Sequence, residues 1–376
     1  MKTPMLKAIL IAILLTSVQG VFAVAKPLKV FILAGQSNMQ GKVPVGTFES
    51  LPWDPVGAAL HKDMHGPDGK PVVLDDVYIS ALGIEAAEKN GKLAVGFGSG
   101  RGVMVGPEYT FGIYMHKHLQ ETFLIIKTAW GGKSLNKDFR PPGAGETGEY
   151  YKKMREHVRK VLGDLKTYHP AYDENAGYQI AGFVWFQGWN DLVDRHIYPK
   201  RGDPARFNEY STLLAQLIRD VRKDLQAPKM PFVIGVLGIG GKNAGGDTVS
   251  FKNAMAAPAQ LPEFKGNVVA FWTDQTWDDR LGELMDRSWK WKSPDPEKKY
   301  VELAAKLKPI EDQMKNATDK QQLAALRTKF DEIMYTPEEK KLREKAISNK
   351  GYHYLGSPKI IGGIGKGFAE ALIGMK

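Results

Sequence analysis

The chain has 376 residues, 43% hydrophobic and 25% charged, so it holds ample apolar material for a core and wholesale disorder is excluded. No apolar run reaches the roughly 18 residues of a spanning helix, which excludes a polytopic membrane protein, and the absence of cysteine removes disulfides, thiol nucleophiles and Cys-ligated metals. The formal charge is +10, but Lys and Arg are scattered among Asp and Glu with no nucleic-acid-binding motif, so the surplus reads as solvated surface and no nucleic-acid partner is expected.

In chain order, Lys2 and Lys7 precede the apolar Ala8 to Leu15, and Val21-Phe22-Ala23 and Ala23-Val24-Ala25 fit a small-x-small cleavage rule. This predicts a signal peptide over 1–25 and an exported (periplasmic or secreted) protein with no membrane association after cleavage. The apolar stretch is too short for a span, which takes roughly 20 residues. Five short β-branched or aromatic runs follow: Leu28 to Ala34, Phe123 to Thr128, Ile180 to Phe186, Pro231 to Leu237 and Asn267 to Thr273. Each reads as a buried strand. Helical patterns over Tyr109 to Leu119, Tyr150 to Leu165 and Phe207 to Leu225 separate several of them, so βαβ units are expected. The predicted class is α/β, a mostly parallel sheet between two helical layers. In such sheets ligands bind beyond the carboxyl ends of the strands.

Two regions break the rhythm. Gly41 to Val105, rich in Gly, Pro and Asp, predicts hairpins and long surface loops, and places His61 and His65 in a solvated loop. Residues 292–346 are dense in Lys and Glu. Apolar residues at Leu303, Leu307, Ile310 and Met314, then Leu323, Leu326, Phe330 and Ile333, mark two amphipathic helices. A capping box, Thr336-Pro-Glu-Glu339, starts a third. This stretch reads as a helical insertion in a single domain over 26–376.

Four constellations lie where strands end. Gly35-Gln36-Ser37-Asn38 follows the first strand, as an ordinary turn or as a nucleophile exposed to the crevice. In Thr128-Ala-Trp-Gly-Gly-Lys-Ser134 the N–H of Gly131 or Gly132 is available to a charged oxygen, unless the glycines only make a tight turn. Trp185-Phe-Gln-Gly-Trp-Asn-Asp191 offers the Gln187 amide and the Asp191 carboxylate, with Asp194 close by. Asn349-Lys-Gly-Tyr-His353 precedes a C-terminal amphipathic helix expected over Ile364 to Met375 and supplies a candidate general base. The glycine runs Gly238 to Gly241 and Gly362 to Gly365 fit no phosphate-loop pattern and read as strand-end turns. Trp130, Trp189, Trp272 and Trp277 stand near strand ends as a candidate sugar-stacking wall.

GQSNM, AWGGKSL, WFQGWND and GYHYLGS, in this order, resemble the SGNH/GDSL-type hydrolases, and more narrowly the sialate O-acetylesterase and family 6 acetylxylan esterase branch. The resemblance covers roughly Leu28 to Asp279 and Asn349 to the C-terminus. It implies an SGNH-like three-layer α/β/α sandwich, an acetylated carbohydrate as substrate and no cofactor or metal. It implies Ser37 as nucleophile, His353 as base, and an oxyanion hole from Ser37, Gly131 or Gly132, and Gln187. One departure stands out. The family commonly places an acid three residues before the His or directly after Gln-Gly, where this chain has Lys350 and Trp189. The acid is then expected at Asp191, with Asp278 and Asp194 as alternatives. The expected activity is a serine-dependent carbohydrate O-acetylesterase; a catalytically impaired glycan-binding protein on the same fold is the alternative.

Overall fold

The computed structural model describes residues 26–375, so the export segment expected over 1–25 lies outside them. Nine strands occur in chain order: β1 (Leu28–Gly35), β2 (Val43–Pro44), β3 (Leu74–Leu82), β4 (Lys89–Leu93), β5 (Met104–Val105), β6 (Phe123–Ala129), β7 (Tyr178–Phe186), β8 (Phe232–Val236) and β9 (Val268–Trp272). Seven form one sheet in the order β4-β3-β6-β1-β7-β8-β9, parallel except for the antiparallel edge strand β4, while β2 pairs with β5 alone. All of β6 and nearly all of β1 are buried, as expected of a sheet covered on both faces.

Successive residues of β7 show the two coverings. Gly182 lies against Leu372 of the helix Pro358–Ile373, while Phe183 lines a small cavity with Tyr151, Met154 and Val158 of Glu149–Gly163 and Val221 of Asn208–Asp224. Alternation along a strand puts these helices on opposite faces, which makes the three-layer α/β/α sandwich of the SGNH type. The helix Pro107–Leu119 packs beside Pro358–Ile373. There a Cβ on Gly365 would come within 2.2 Å of the Pro107 carbonyl oxygen. The glycines of 362–365 thus sit inside a helix, not in the strand-end turn expected, because two helix backbones nearly touch.

The strand ends place the site. Gly35 of β1 is in register with Ala129 of β6 and with Phe186 of β7, so three parallel strands finish level. The chain moves to one side of β1 for β3 and β6 and to the other for β7, β8 and β9. The carboxyl end of β1 is therefore a topological switch point, where α/β sheets open a crevice.

Elsewhere the region 41–105 holds a helix besides the hairpins expected of it. It contains the β3–β4 pair and the helix Pro55–Met64, whose Asp54 accepts from the N–H groups of Val56 and Gly57. Asp-Pro reads equally as a turn or as a helix start. His61 lies on this helix rather than in a loop, its ring stacked on His65 at 3.9 Å. The charged segment forms helices Lys298–Asn316 and Lys320–Met334, packed on each other, and Pro337–Ala346, opened by the Thr336/Glu339 capping box. Among the described residues no helix is long and apolar enough to cross a membrane.

Candidate active site

The first strand delivers a serine to the crevice. At Gly35 a Cβ would fall 2.1 Å from the Phe186 carbonyl oxygen, so only glycine lets β1 and β7 end this close. Ser37 then opens the one-turn helix Ser37–Gln40, where its own N–H has no intrahelical acceptor. The buried Gln36 side chain clamps the neighbouring loop. Its Oε1 accepts from Gly188 N–H at 3.0 Å and its Nε2 donates to Asn190 Oδ1 at 3.0 Å. The other end of the helix is held from below by Lys127 of β6. Its ammonium donates to the Gln40 carbonyl at 2.9 Å, to the Phe97 carbonyl at 2.9 Å and to Glu108 at 2.6 Å. Burial pushes the Lys127 ammonium below its ordinary range, with the Glu108 carboxylate opposing.

The loop after β6 brings glycine against this serine. A Cβ on Gly131 would stand 3.6 Å from the Ser37 Cβ and 3.0 Å from Gln40 Oε1. Gly132 has φ 72°, the left-handed region that favours glycine. Among the described residues the N–H groups of Gly131 and Gly132 find no acceptor, whereas Trp130 N–H donates to Gly35 O at 3.1 Å. The glycine pair beside the serine thus keeps two backbone donors without acceptors.

The third contribution comes from the far end of the chain. Asn38 Nδ2 donates to the Tyr352 carbonyl at 3.2 Å, tying the serine's neighbour to the loop that carries His353. That loop turns through three successive left-handed residues, Tyr354 (φ 51°), Leu355 (φ 63°) and Gly356 (φ 57°). Two of these carry side chains, a conformation worth roughly 1–3 kcal/mol of strain each. Tyr354 supplies the anchor: its buried hydroxyl accepts from Gly238 N–H at 2.8 Å and meets Thr273 Oγ1 at 2.7 Å. His353 Nδ1 lies 3.0 Å from Asn349 Oδ1, and no hydrogen bond joins His353 to Ser37. Burial, and secondarily the Lys42 ammonium, lowers the His353 pKa to about 4.

A nucleophile candidate, the glycine pair after β6 and the loop that carries His353 thus come together at the switch point. A family model described as "Carbohydrate esterase, sialic acid-specific acetylesterase" matches residues 27–276. The chain belongs to this carbohydrate esterase family. Solved structures similar to this esterase include an Arabidopsis thaliana protein, 20% identical, with TM-score 0.42, covering 66% of this chain and 86% of that one. Another is a carbohydrate acetylesterase from Xanthomonas citri, 14% identical, with TM-score 0.38, covering 64% of this chain and 48% of that one. No curated protein sequence matches the esterase significantly.

Two sequence-derived assignments fail on contact geometry. Asp191 is fully buried and does not face His353. One carboxylate oxygen accepts from Leu135 N–H at 2.8 Å and Gln187 Nε2 at 2.6 Å, the other from Asn136 N–H at 3.1 Å and Tyr198 OH at 3.4 Å. It holds the loop after β6 against the end of β7, and burial raises its pKa to about 6 despite these donors. The alternatives are engaged too: Asp278 caps the helix Asp279–Lys290 and pairs with Lys359 at 2.5 Å, and Asp194 accepts from His196 and Ile197 N–H. Gln187 is likewise sealed. Its Nε2 meets Asp191, the Lys133 carbonyl at 3.0 Å and Gln36 Oε1 at 3.3 Å, which leaves no N–H for an oxyanion. It is a strut under the loop.

The residues that sequence reasoning passed over are Gln36, Asn349, Tyr354 and the Lys127–Glu108 pair. A lysine inside an otherwise apolar strand was the one visible signal. The four tryptophans form no single wall. Trp130 packs with Phe139 and Tyr150, and Trp277 lies beside Tyr354. Trp189 stacks on the exposed Tyr352 at 5.6 Å, and Tyr352 packs edge-on against His353 at 4.5 Å. A cavity of about 770 Å³ is lined by Gly132, Ser134, Lys137, Arg140, Glu146 and Asn190 among others. A serine–histidine–carboxylate contact does exist at Ser80, His157 and Glu88, away from this crevice, but Ser80 is completely buried and closed to any substrate.

Proposed function

We propose that this esterase removes O-acetyl groups from a glycan through a Ser37 acyl-enzyme. The observation that carries the reading is the meeting of Ser37, Gly131 and the His353 loop at the level ends of β6, β1 and β7. Ser37 Oγ attacks the acetyl carbonyl carbon as His353 takes the hydroxyl proton. The tetrahedral oxyanion is held by the N–H groups of Ser37 and of Gly131 or Gly132. Collapse breaks the ester bond, and His353 returns its proton to the departing sugar oxygen. Water then attacks the acetyl-serine by the same route in reverse. The Trp189–Tyr352 stack and the cavity beside Gly132 supply an aromatic face and a polar trough for a sugar chain. Export through the segment 1–25 belongs to the same proposal and rests on its charge and apolar pattern.

The test is acetate release from a panel that includes acetylated xylan and O-acetylated sialoglycans, with wild type beside Ser37→Ala. The expected result is loss of turnover with an unchanged circular dichroism spectrum. Undiminished acetate release by the variant ends the mechanism. Among the described residues no carboxylate bonds His353, which favours a second reading, a glycan-binding protein with impaired catalysis. Glycan binding without acetate release, and no labelling of Ser37 by an organophosphate, would select it.

A further inference from the structure

The His353 ring is oriented by an amide. Asn349 Oδ1 lies 3.0 Å from Nδ1, and the same oxygen accepts from Lys350 N–H at 2.8 Å. A backbone N–H only donates, so the Asn349 atom turned toward the imidazole is its oxygen and not its NH₂. Facing an acceptor, Nδ1 must carry the ring proton, and Nε2 is left with the lone pair a base needs. Asn349 is itself held, its N–H donating to the Leu355 carbonyl at 2.9 Å within the strained turn.

The surroundings add no negative charge. From the segment after helix Ser37–Gln40 comes the Lys42 ammonium, bonded to Ser99 Oγ at 3.1 Å and, among the described residues, without a carboxylate in ion-pair range. The helix itself contributes the neutral Ser37 and Asn38. The loop's own residues contribute Asn349, Lys350 and Tyr352, and the segment after β7 reaches this loop through Trp189. Asp191, Asp194 and Asp278 are engaged elsewhere.

We propose that Asn349 is the positioning residue of this site, holding His353 in the Nδ1–H tautomer in place of the usual acid and without adding charge. The proposal rests on the Ser37–His353 reading above. In the acylation step the Ser37 proton moves to Nε2, and the imidazolium keeps its Nδ1–H on the amide oxygen until Nε2–H passes to the sugar oxygen. Without a facing carboxylate the free imidazole stays unprotonated, and so able to act as base, well into the acid range. The imidazolium that forms during the reaction forgoes a carboxylate's stabilisation.

Asn349→Asp tests this, because a carboxylate oxygen accepts from both Lys350 N–H and Nδ1–H and differs mainly in charge. The acid limb of kcat/KM for an acetyl ester is expected to move up by about 1–3 pH units. The imidazole titration followed by NMR in Ser37→Ala protein, with and without Asn349→Asp, should move by the same amount. That protein turns nothing over, so the reading does not depend on the esterase assignment. Asn349→Leu should lower kcat with little change in KM. An Nε2–H tautomer in the Ser37→Ala protein at pH 7, or an imidazole titration unmoved by Asn349→Asp, overturns the proposal. Acetate release that survives Ser37→Ala strikes the Ser37 reading alone and leaves the tautomer measurement to judge Asn349.

Discussion

Replacing Lys127 by methionine keeps most of the side-chain volume and deletes the charge, which isolates what the buried ion pair does beneath the Ser37 helix. All three ammonium protons are spent, on the carbonyls of Gln40 and Phe97 and on Glu108, and neither charged side chain has any exposure. Removing the cation leaves the Glu108 carboxylate buried with Gly106 N–H as its remaining partner at 2.8 Å. An uncompensated buried charge costs about 3–5 kcal/mol. The two stranded carbonyls of Gln40 and Phe97 add on the order of 1 kcal/mol each. The expected loss is therefore about 5–7 kcal/mol, a large part of the roughly 5–15 kcal/mol that holds a domain together. Urea unfolding of Lys127→Met, Glu108→Gln and the double variant closes a mutant cycle. Because Glu108→Gln removes the stranded charge and can still accept from Gly106 N–H, the double variant should be more stable than Lys127→Met by about 2 kcal/mol. A Lys127→Met cost below about 1 kcal/mol, or a double variant no more stable than the single, would refute the reasoning.

Two further predictions concern pH and packing at the same crevice. Asp191 has a folded pKa raised to about 6, so the folded state binds more protons than the unfolded chain between about 4 and 6, and its contribution to stability is lost as pH rises through that window. His353, lowered to about 4, acts in the opposite sense and favours folding as pH rises from about 4 to 6.5. Asp191→Asn should therefore steepen the gain in unfolding free energy between pH 4 and 6.5 while leaving the acid limb of kcat/KM in place; a displaced limb would return Asp191 to the role of the acid. Gly131→Ala puts a methyl 3.0 Å from Gln40 Oε1 and 3.6 Å from the Ser37 Cβ. Esterase activity should fall on the order of 10–10²-fold at nearly unchanged Tm, and wild-type kinetics in that variant would remove Gly131 from the site.

The strands were legible because buried parallel strands are near-continuous apolar runs, and β1, β6, β7, β8 and β9 fall within two residues of where the periodicity put them. β3 was expected only as part of an unplaced hairpin, because its first residues, Leu74-Asp75-Asp76, are polar where the strand leaves the core. The helix Pro55–Met64 was missed because Asp-Pro at a helix start and in a turn look alike. The placement of Ser37 and the Gly131-Gly132 pair at strand ends followed from motif order, since a parallel sheet brings the carboxyl ends of its strands to one edge, whereas His353 arrives on a turn between two helices.

Partner choice was another matter. Asp191 sits in the expected turn, four residues after Gln187, yet its oxygens point back to Leu135 and Asn136, while the residue that reaches Nδ1 of His353 is Asn349. Chain order sets which segments arrive at the crevice, because hydrophobic periodicity and turn chemistry are local. Which acceptor meets the imidazole depends on the left-handed turn at Tyr354, on its anchor to Gly238 and Thr273, and on every buried donor near Asp191 claiming an oxygen. Those are contacts between residues far apart in the chain, and only the packed structure decides them.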